Sequence, residues 1–264
     1  MKTLLSTLLV SLFFISLPAL SADKPAWAKH PVIASDSCDS LEYSDVIEFL
    51  KKYYYPTLGY SSKQNEAGRQ MMETYAIATS LILRSQTCLA EALEIKGLTD
   101  KLKKQQKLVS SGTSMSKREL KKQRKLTTDA SAKITAAAKK TEQMTPEQRK
   151  RFSLGSAAYL AGTYATARLF KTMEDYASET KDGVSALAGS SKKSGFGIPN
   201  MDDLKKAAGV FGTANTVRVL FTGLQDHASN LYSTSKFLIE YSKEQKLDLP
   251  PDATEQLSSV VDWV

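Results

Sequence analysis

Two stretches fifty residues apart carry one pattern, and that pattern points to closely packed helices. The first contains Ala158, Gly162, Thr163, Thr166 and Arg168; the second contains Ala208, Gly212, Thr213, Thr216 and Arg218. Both read A-x3-G-T-x2-T-x-R. After a one-residue slip, Phe170 aligns with Phe221, Met173 with Leu224, Asp175 with Asp226, Ala177 with Ala228 and Ser178 with Ser229. At about 100° per residue, Ala158, Gly162 and Thr166 share one helical face, which Gly155, Leu169 and Met173 extend. Helices with small residues along one stripe can bring their backbones close, as small-x3-small pairs do in membranes. These segments carry too many charges to span a membrane. We therefore expect two soluble helices, roughly Thr145 to Lys181 and Asn200 to Lys246.

Arg168 and Arg218 fall about 120° off the stripe and so flank the expected contact. The pair could present two arginines to a small anionic or lipid-like ligand. Close packing alone would also select Ala, Gly and Thr here, leaving the arginines as flanking charges.

The rest of the chain also reads as helix. Tyr43, Val46, Ile47, Leu50, Tyr53 and Tyr54 follow i, i+3, i+4, i+7 spacing, after a capping box at Asp39 and Glu42; Pro56 and Gly59 end that helix. A second helix runs from about Lys63 to Lys96, stopped by Gly97 in a left-handed cap, and a shorter one follows to about Val109. Ser116 and Glu119 open a helix to about Lys140, and Thr145, Pro146 and Gln148 form the clearest helix start. Asn200 to Lys246 is apolar on nearly all sides and is expected to be the central element. Pro250 and Pro251 stop it before a short last helix. No segment alternates like a strand, so the fold class is all-α: a bundle of six or seven helices.

Domain organisation follows from composition. Residues 1–22 read as a secretory signal, with Lys2, an apolar run from Leu4 to Leu17, and small residues at Ala19, Ser21 and Ala22. Residues 23–37 lack periodicity and are expected to form an extended arm. Residues 38–264 form a single all-α domain, within which 98–142 is a basic helical hairpin and 188–199 a flexible loop. No later segment is long and apolar enough for a transmembrane helix. Export makes the two cysteines informative: Cys38 and Cys88 are expected to pair and to staple the first two helices of the domain.

Charge is concentrated. Lys101 to Arg151 holds sixteen Lys or Arg against four acids, an excess of +12, which leaves −4 for the remainder of a chain whose net charge is +8. Lys117, Arg118, Lys121, Lys122, Arg124 and Lys125 form its densest part, on a helix whose thin apolar line (Leu120, Thr127, Ala130, Ile134, Ala137) suggests that it lies at the edge of the body or projects as a hairpin. A localised basic surface on an exported protein fits an acidic protein or an anionic envelope surface. Peripheral membrane contact is compatible with this reading, and nucleic acid is disfavoured by the compartment.

Signals for chemistry are sparse. HExxH, GxSxG and the phosphate-loop order are absent. His30 and His227 are the two histidines. Asp175 and Asp226, with His227 beside the latter, supply the one carboxylate pair from which a hydrolase could be built. Tyr53, Tyr54, Tyr55 and Tyr60 cluster near Pro56 and would serve either the core or a contact surface. No catalytic residue, metal ligand set or cofactor is expected. The reading is of a non-enzymatic binding or scaffolding protein, with the small-ligand carrier and the hydrolase as alternatives.

Overall fold

The computed structural model describes residues 24–58, 64–111, 117–179 and 224–258. Every regular element among them is helical, as the periodicities require. Two single turns, α1 (Ala26–Lys29) and α2 (Pro31–Ala34), lead to a 3-10 turn at Cys38–Ser40. α3 (Tyr43–Phe49) passes through a π-helical stretch (Leu50–Tyr54) into α4 (Tyr55–Leu58). The long helices are α5 (Gln64–Ala92), α7 (Lys117–Ala138) and α8 (Pro146–Glu179), with α6 (Leu98–Val109) between the first two. α9 (Leu224–Glu244) and α10 (Pro251–Ser258) follow.

Several local signals act where expected. The Thr145 hydroxyl accepts the Gln148 backbone N–H at 3.2 Å, while the Gln148 side-chain oxygen accepts the Thr145 N–H at 2.9 Å, so the capping box closes in both directions. Gly97 is left-handed as expected, with φ +69°, but it caps the start of α6; α5 stops earlier, at Ala92, after which Glu94 takes φ +52° and the Ile95 N–H donates to the Ala90 carbonyl at 2.9 Å. Other signals are overridden. Asp39 does not cap α3; Ser37 caps the 3-10 turn by accepting the Asp39 N–H, and the Asp39 carboxylate binds Arg151 of α8 instead. Pro56 does not end its helix, because it sits in the first turn of α4, just after the π-helical stretch, where a proline's missing N–H is tolerated.

Among the described residues the centre of the bundle is α5; most of the second small-residue segment, expected to be central, lies outside them. Every residue from Ile77 to Ala90 is buried. α5 and α8 form the principal helix pair. On one side of that pair lies an apolar cluster with α6, α7 and α9, including Leu102, Leu120, Ile134, Phe152, Leu231 and Leu238. On the other, Trp27, Val32, Phe49, Leu50 and Tyr54 from the first four helices pack on Ile77, Leu81, Ala158 and Ala161. The expected extended arm is therefore two helical turns with Trp27 and Ile33 almost wholly buried: apolar side chains laid against the α5–α8 pair favour whatever local conformation buries them. α9 is amphipathic, with Asp226, Ser229, Lys236 and Glu240 exposed. Residues 180–223, which hold the rest of the second motif and the expected 188–199 loop, lie outside the described residues.

The small-residue stripe of α8 faces α5. A Cβ added to Gly155 would lie 3.1 Å from Leu89 Cγ, 3.2 Å from Cys88 Cβ and 3.2 Å from the Leu89 backbone nitrogen; at Gly162 it would lie 2.8 Å from Ile82 Cδ1. The Gly162 neighbour is the tip of a flexible side chain. The Gly155 neighbours are backbone and a cysteine held by a disulfide, so they yield less. Alanine normally gains about 1 kcal/mol over glycine inside a helix. We expect Gly155→Ala to forfeit that gain and destabilise the protein by about 1–2 kcal/mol, and Gly162→Ala to be much milder, as measured by urea unfolding; a stabilised Gly155→Ala would refute this close approach.

Candidate functional site

The basic segment separates into groups with different roles once it is folded. Around α7, Arg118, Lys121, Lys122, Lys125 and Lys133 are exposed, together with Asp129, Ala132 and Ala136. At 100° per residue these positions span about 120° of the helix circumference, and Arg118 to Lys133 extends about 22 Å along it. Among the described residues, Lys125 alone of these five cations has a carboxylate within ion-pair distance, Asp129 at 3.0 Å. Both partners are well exposed, so the pair adds little stability. Lys117 begins the helix, with its side chain outside the described residues. On α6, Lys101, Lys104 and Lys107 are exposed beside Leu108, the one exposed large apolar side chain among the described residues.

The last three cations of the segment do not join this face. Arg149 donates to the carbonyls of Gln245 and Lys246, both at 2.9 Å, closing the C-terminal end of α9. Arg151 makes a two-point contact with Asp39, at 2.7 and 3.0 Å. That contact holds the Asp39 carboxyl below its ordinary range, chiefly through the hydrogen bond from Arg151. A shallow depression of about 300 Å³ lies between Arg149, Lys150, Leu154 and Leu247.

α7 does not project as a hairpin. It lies against α5 and α9 and has little contact with α6. Its inner face is buried not only through Leu120, Ala130, Ile134 and Ala138 but through polar side chains. Tyr75 donates its hydroxyl to Gln123 Oε1 at 2.6 Å. Gln86 Nε2 donates to the Thr127 carbonyl at 2.8 Å and the Ser131 hydroxyl at 3.0 Å. Ser131 then meets the Tyr159 hydroxyl at 2.9 Å. Beyond it, Ser235 of α9 donates to Thr163 of α8 at 3.0 Å. A polar spine thus joins α5, α7, α8 and α9, each bond contributing about 1 kcal/mol net. Burial pushes the Tyr159 phenol up to about 12 and raises that of Tyr75, so both remain hydrogen-bonding alcohols. Sequence reasoning put Thr127 on the apolar line but missed Gln123 and Ser131, which look like solvent-facing residues; their spacing of four from Thr127, on the same side as Leu120 and Ile134, was the available signal.

Arg124 belongs to this interior rather than to the outer basic face. It is half-buried, on the flank of α7, and its charge reaches Tyr75 and His227. His227 is buried on α9, with its pKa lowered to about 4 by desolvation and then by Arg124. It is therefore neutral at pH 7, and its Nδ1 is buried without a hydrogen-bond partner. Asp226, next to it, is exposed, so the two residues diverge and do not form a shared acid–base pair. Asp175 lies on α8 with its side chain outside the described residues.

Arg168 is half-buried beside the tyrosines Tyr54, Tyr55 and Tyr164. Tyr54 is itself fully buried and donates its hydroxyl to the Ala165 carbonyl, while Tyr53 packs its ring on Phe49 and His30. These two tyrosines serve the core; Tyr60 lies outside the described residues. Arg218, the other arginine of the repeated motif, also lies outside them, and the stripe that it would mirror is filled by α5.

Cys38 and Cys88 are joined, with their Cα atoms 5.4 Å apart. No group of three or more His, Cys, Asp or Glu among the described residues is placed to hold a metal ion. No helix there is long and apolar enough to cross a membrane. Compared with known proteins, the chain matches no family model, no curated sequence and no solved structure.

Proposed function

We propose that this is an exported, non-enzymatic binding or scaffolding protein of the cell envelope that engages an anionic partner through the outer face of α7. The observation that carries the reading is the exposed array of Arg118, Lys121, Lys122, Lys125 and Lys133, opposed on that face by Asp129 alone. Rigid support adds to it: the polar spine and the buried Leu120 and Ile134 fix the helix against the body, so its cations are displayed in a set geometry. Preorganised charge speeds encounter with a partner of opposite sign and selects against partners of like sign. The buried disulfide fits an oxidising compartment, and the signal-like residues 1–22 would deliver the chain there.

Retention on immobilised poly-glutamate tests the reading, using the chain from residue 23 onward. We expect Lys121→Glu, Lys122→Glu and Lys125→Glu together to lower the eluting salt concentration sharply. Reversal of three exposed lysines elsewhere, Lys29, Lys51 and Lys243, changes net charge equally and is expected to shift elution far less. Equal shifts for the two triple variants would reduce the face to a contribution to net charge and remove the proposal.

A further inference from the structure

Resting on that reading of α7, we infer that its partner is the headgroup surface of an anionic phospholipid bilayer rather than an acidic protein. Protein interfaces gain most of their affinity from a few buried aromatic or arginine anchors at an apolar centre. The outer face of α7 offers no aromatic side chain and a single arginine, Arg118: its other exposed side chains are four lysines, Asp129, Ala132 and Ala136, with Thr128 and other half-buried residues at the margins. α6 likewise contains no aromatic residue, and its exposed positions are Asp100, Lys101, Lys104, Lys107 and Leu108. Long flexible cations followed by the small Ala132 and Ala136 leave no bulky apolar projection on this face, which matches a plane of mobile phosphates better than a contoured protein surface. Lysine suits that task because its ammonium is a point charge that needs no fixed bidentate acceptor. Leu108, alone among exposed large apolar side chains and flanked by Lys104 and Lys107, is placed as a shallow apolar contact.

The charge distribution adds an orienting argument. Arg118, Lys121, Lys122, Lys125 and Lys133, with Asp129 as the exposed acid among them, give the outer face of α7 a strong attraction toward a negative plane. Cations near such a plane each strengthen attachment by roughly fivefold, within a Debye length of the surface. Binding would therefore be peripheral, additive in lysines and easily reversed by salt.

The test is co-sedimentation of the disulfide-bonded chain from residue 23 onward with vesicles of phosphatidylglycerol and phosphatidylcholine at 3:7, against vesicles of phosphatidylcholine alone. We expect binding to the anionic vesicles at 50 mM salt, loss of most of it at 300 mM, and no binding to the neutral vesicles. Lys121→Glu, Lys122→Glu and Lys125→Glu together should weaken vesicle binding on the order of a hundredfold, while Lys29→Glu, Lys51→Glu and Lys243→Glu should change it only a few-fold. All six positions are exposed, and the helical circular dichroism of each variant verifies its fold. Vesicle binding that ignores the α7 substitutions, or that is equal on neutral lipid, overturns the inference. Absence of vesicle binding with α7-dependent retention on poly-glutamate also overturns it, leaves the basic-face reading standing and makes an acidic protein the partner. Failure of both assays removes both.

Discussion

Replacing Cys38 and Cys88 together by alanine is expected to lower the unfolding free energy by about 4 kcal/mol. The bond closes a separation of 50 residues, and in the chain-entropy model a loop of that length constrains the unfolded ensemble by about this amount. The native state itself should change little. The segment before α3 remains attached by the Arg84 guanidinium on the Ser37 carbonyl, by Gln106 Nε2 on the Ile33 carbonyl at 2.5 Å and by Arg151 on Asp39. Trp27, Val32 and Ile33 also stay buried against Ile77 and Leu81. The double variant should keep the helical circular dichroism of the oxidised protein while its urea midpoint falls with little change in slope. A loss below about 1 kcal/mol would mean that the unfolded chain is already held compact without the bond. Both sulfurs are buried, so a mild reductant should act slowly on the folded protein and quickly on the unfolded one.

Acid is expected to destabilise the protein through His227 by about 3 kcal/mol. Burial and Arg124 lower its folded pKa to about 4, from 6.5 in the unfolded chain. As pH falls below 6.5 the unfolded state takes up a proton that the folded state refuses. Stability contributed by the neutral imidazole is therefore whole above pH 6.5 and drains away down to about pH 4. Arg124 is the cation that bears on it from α7, and Tyr75 of α5, which feels the same charge, stays neutral across this range. Urea unfolding at pH 7.0, 5.5 and 4.5 measures the slope, and His227→Gln isolates the contribution, because carboxylates titrate alike in both proteins. An identical pH slope in the variant would show that His227 is not held neutral by the fold. His30 contributes in the same direction: its pKa is lowered, first by burial and then by Lys52, against the opposing charges of Asp45 and Glu48.

The helices were readable because their signals are local. The capping box at Thr145 and Gln148, the left-handed Gly97 and the apolar periodicity of α3 each act over three or four residues, and each appears in the structure. Asp39 shows the limit of such reasoning. Its spacing to Glu42 is that of a cap, yet a guanidinium 112 residues away binds it in two places. A two-point pair between opposite charges outcompetes a single bond from the carboxylate to a capping N–H. The π-helical stretch before Pro56 is similar: it brings Tyr54 to the Ala165 carbonyl, an acceptor that no local pattern announces.

Of the candidate site, the outer cations of α7 were legible and the inner face was not. Of the six residues read as the basic surface, Arg118, Lys121, Lys122 and Lys125 are exposed, Arg124 is half-buried and the Lys117 side chain lies outside the described residues. Of the two placements that its few apolar residues suggested, at the edge or projecting, the helix takes the first, packed on α5 and α9. Gln123 Oε1 accepts from Tyr75, Ser131 bonds Gln86 and Tyr159, and the Thr127 hydroxyl bonds back to the Gln123 and Arg124 carbonyls of its own helix; a polar side chain buries more readily once it has such partners.

By itself, the sequence determined the all-α class, most helix boundaries, the Cys38–Cys88 pairing and the side of α7 that carries charge, because all but the pairing depend on neighbours within a turn or two. The pairing followed from there being two cysteines and from the expectation of export. Tertiary structure alone decided that α5 is the centre, that the glycines of α8 pack on it, that Arg124 turns inward toward His227 and that Arg149 and Arg151 bind other helices. Those outcomes depend on which surfaces meet, and burial converts the same polar or charged residue from a solvated group into a structural one.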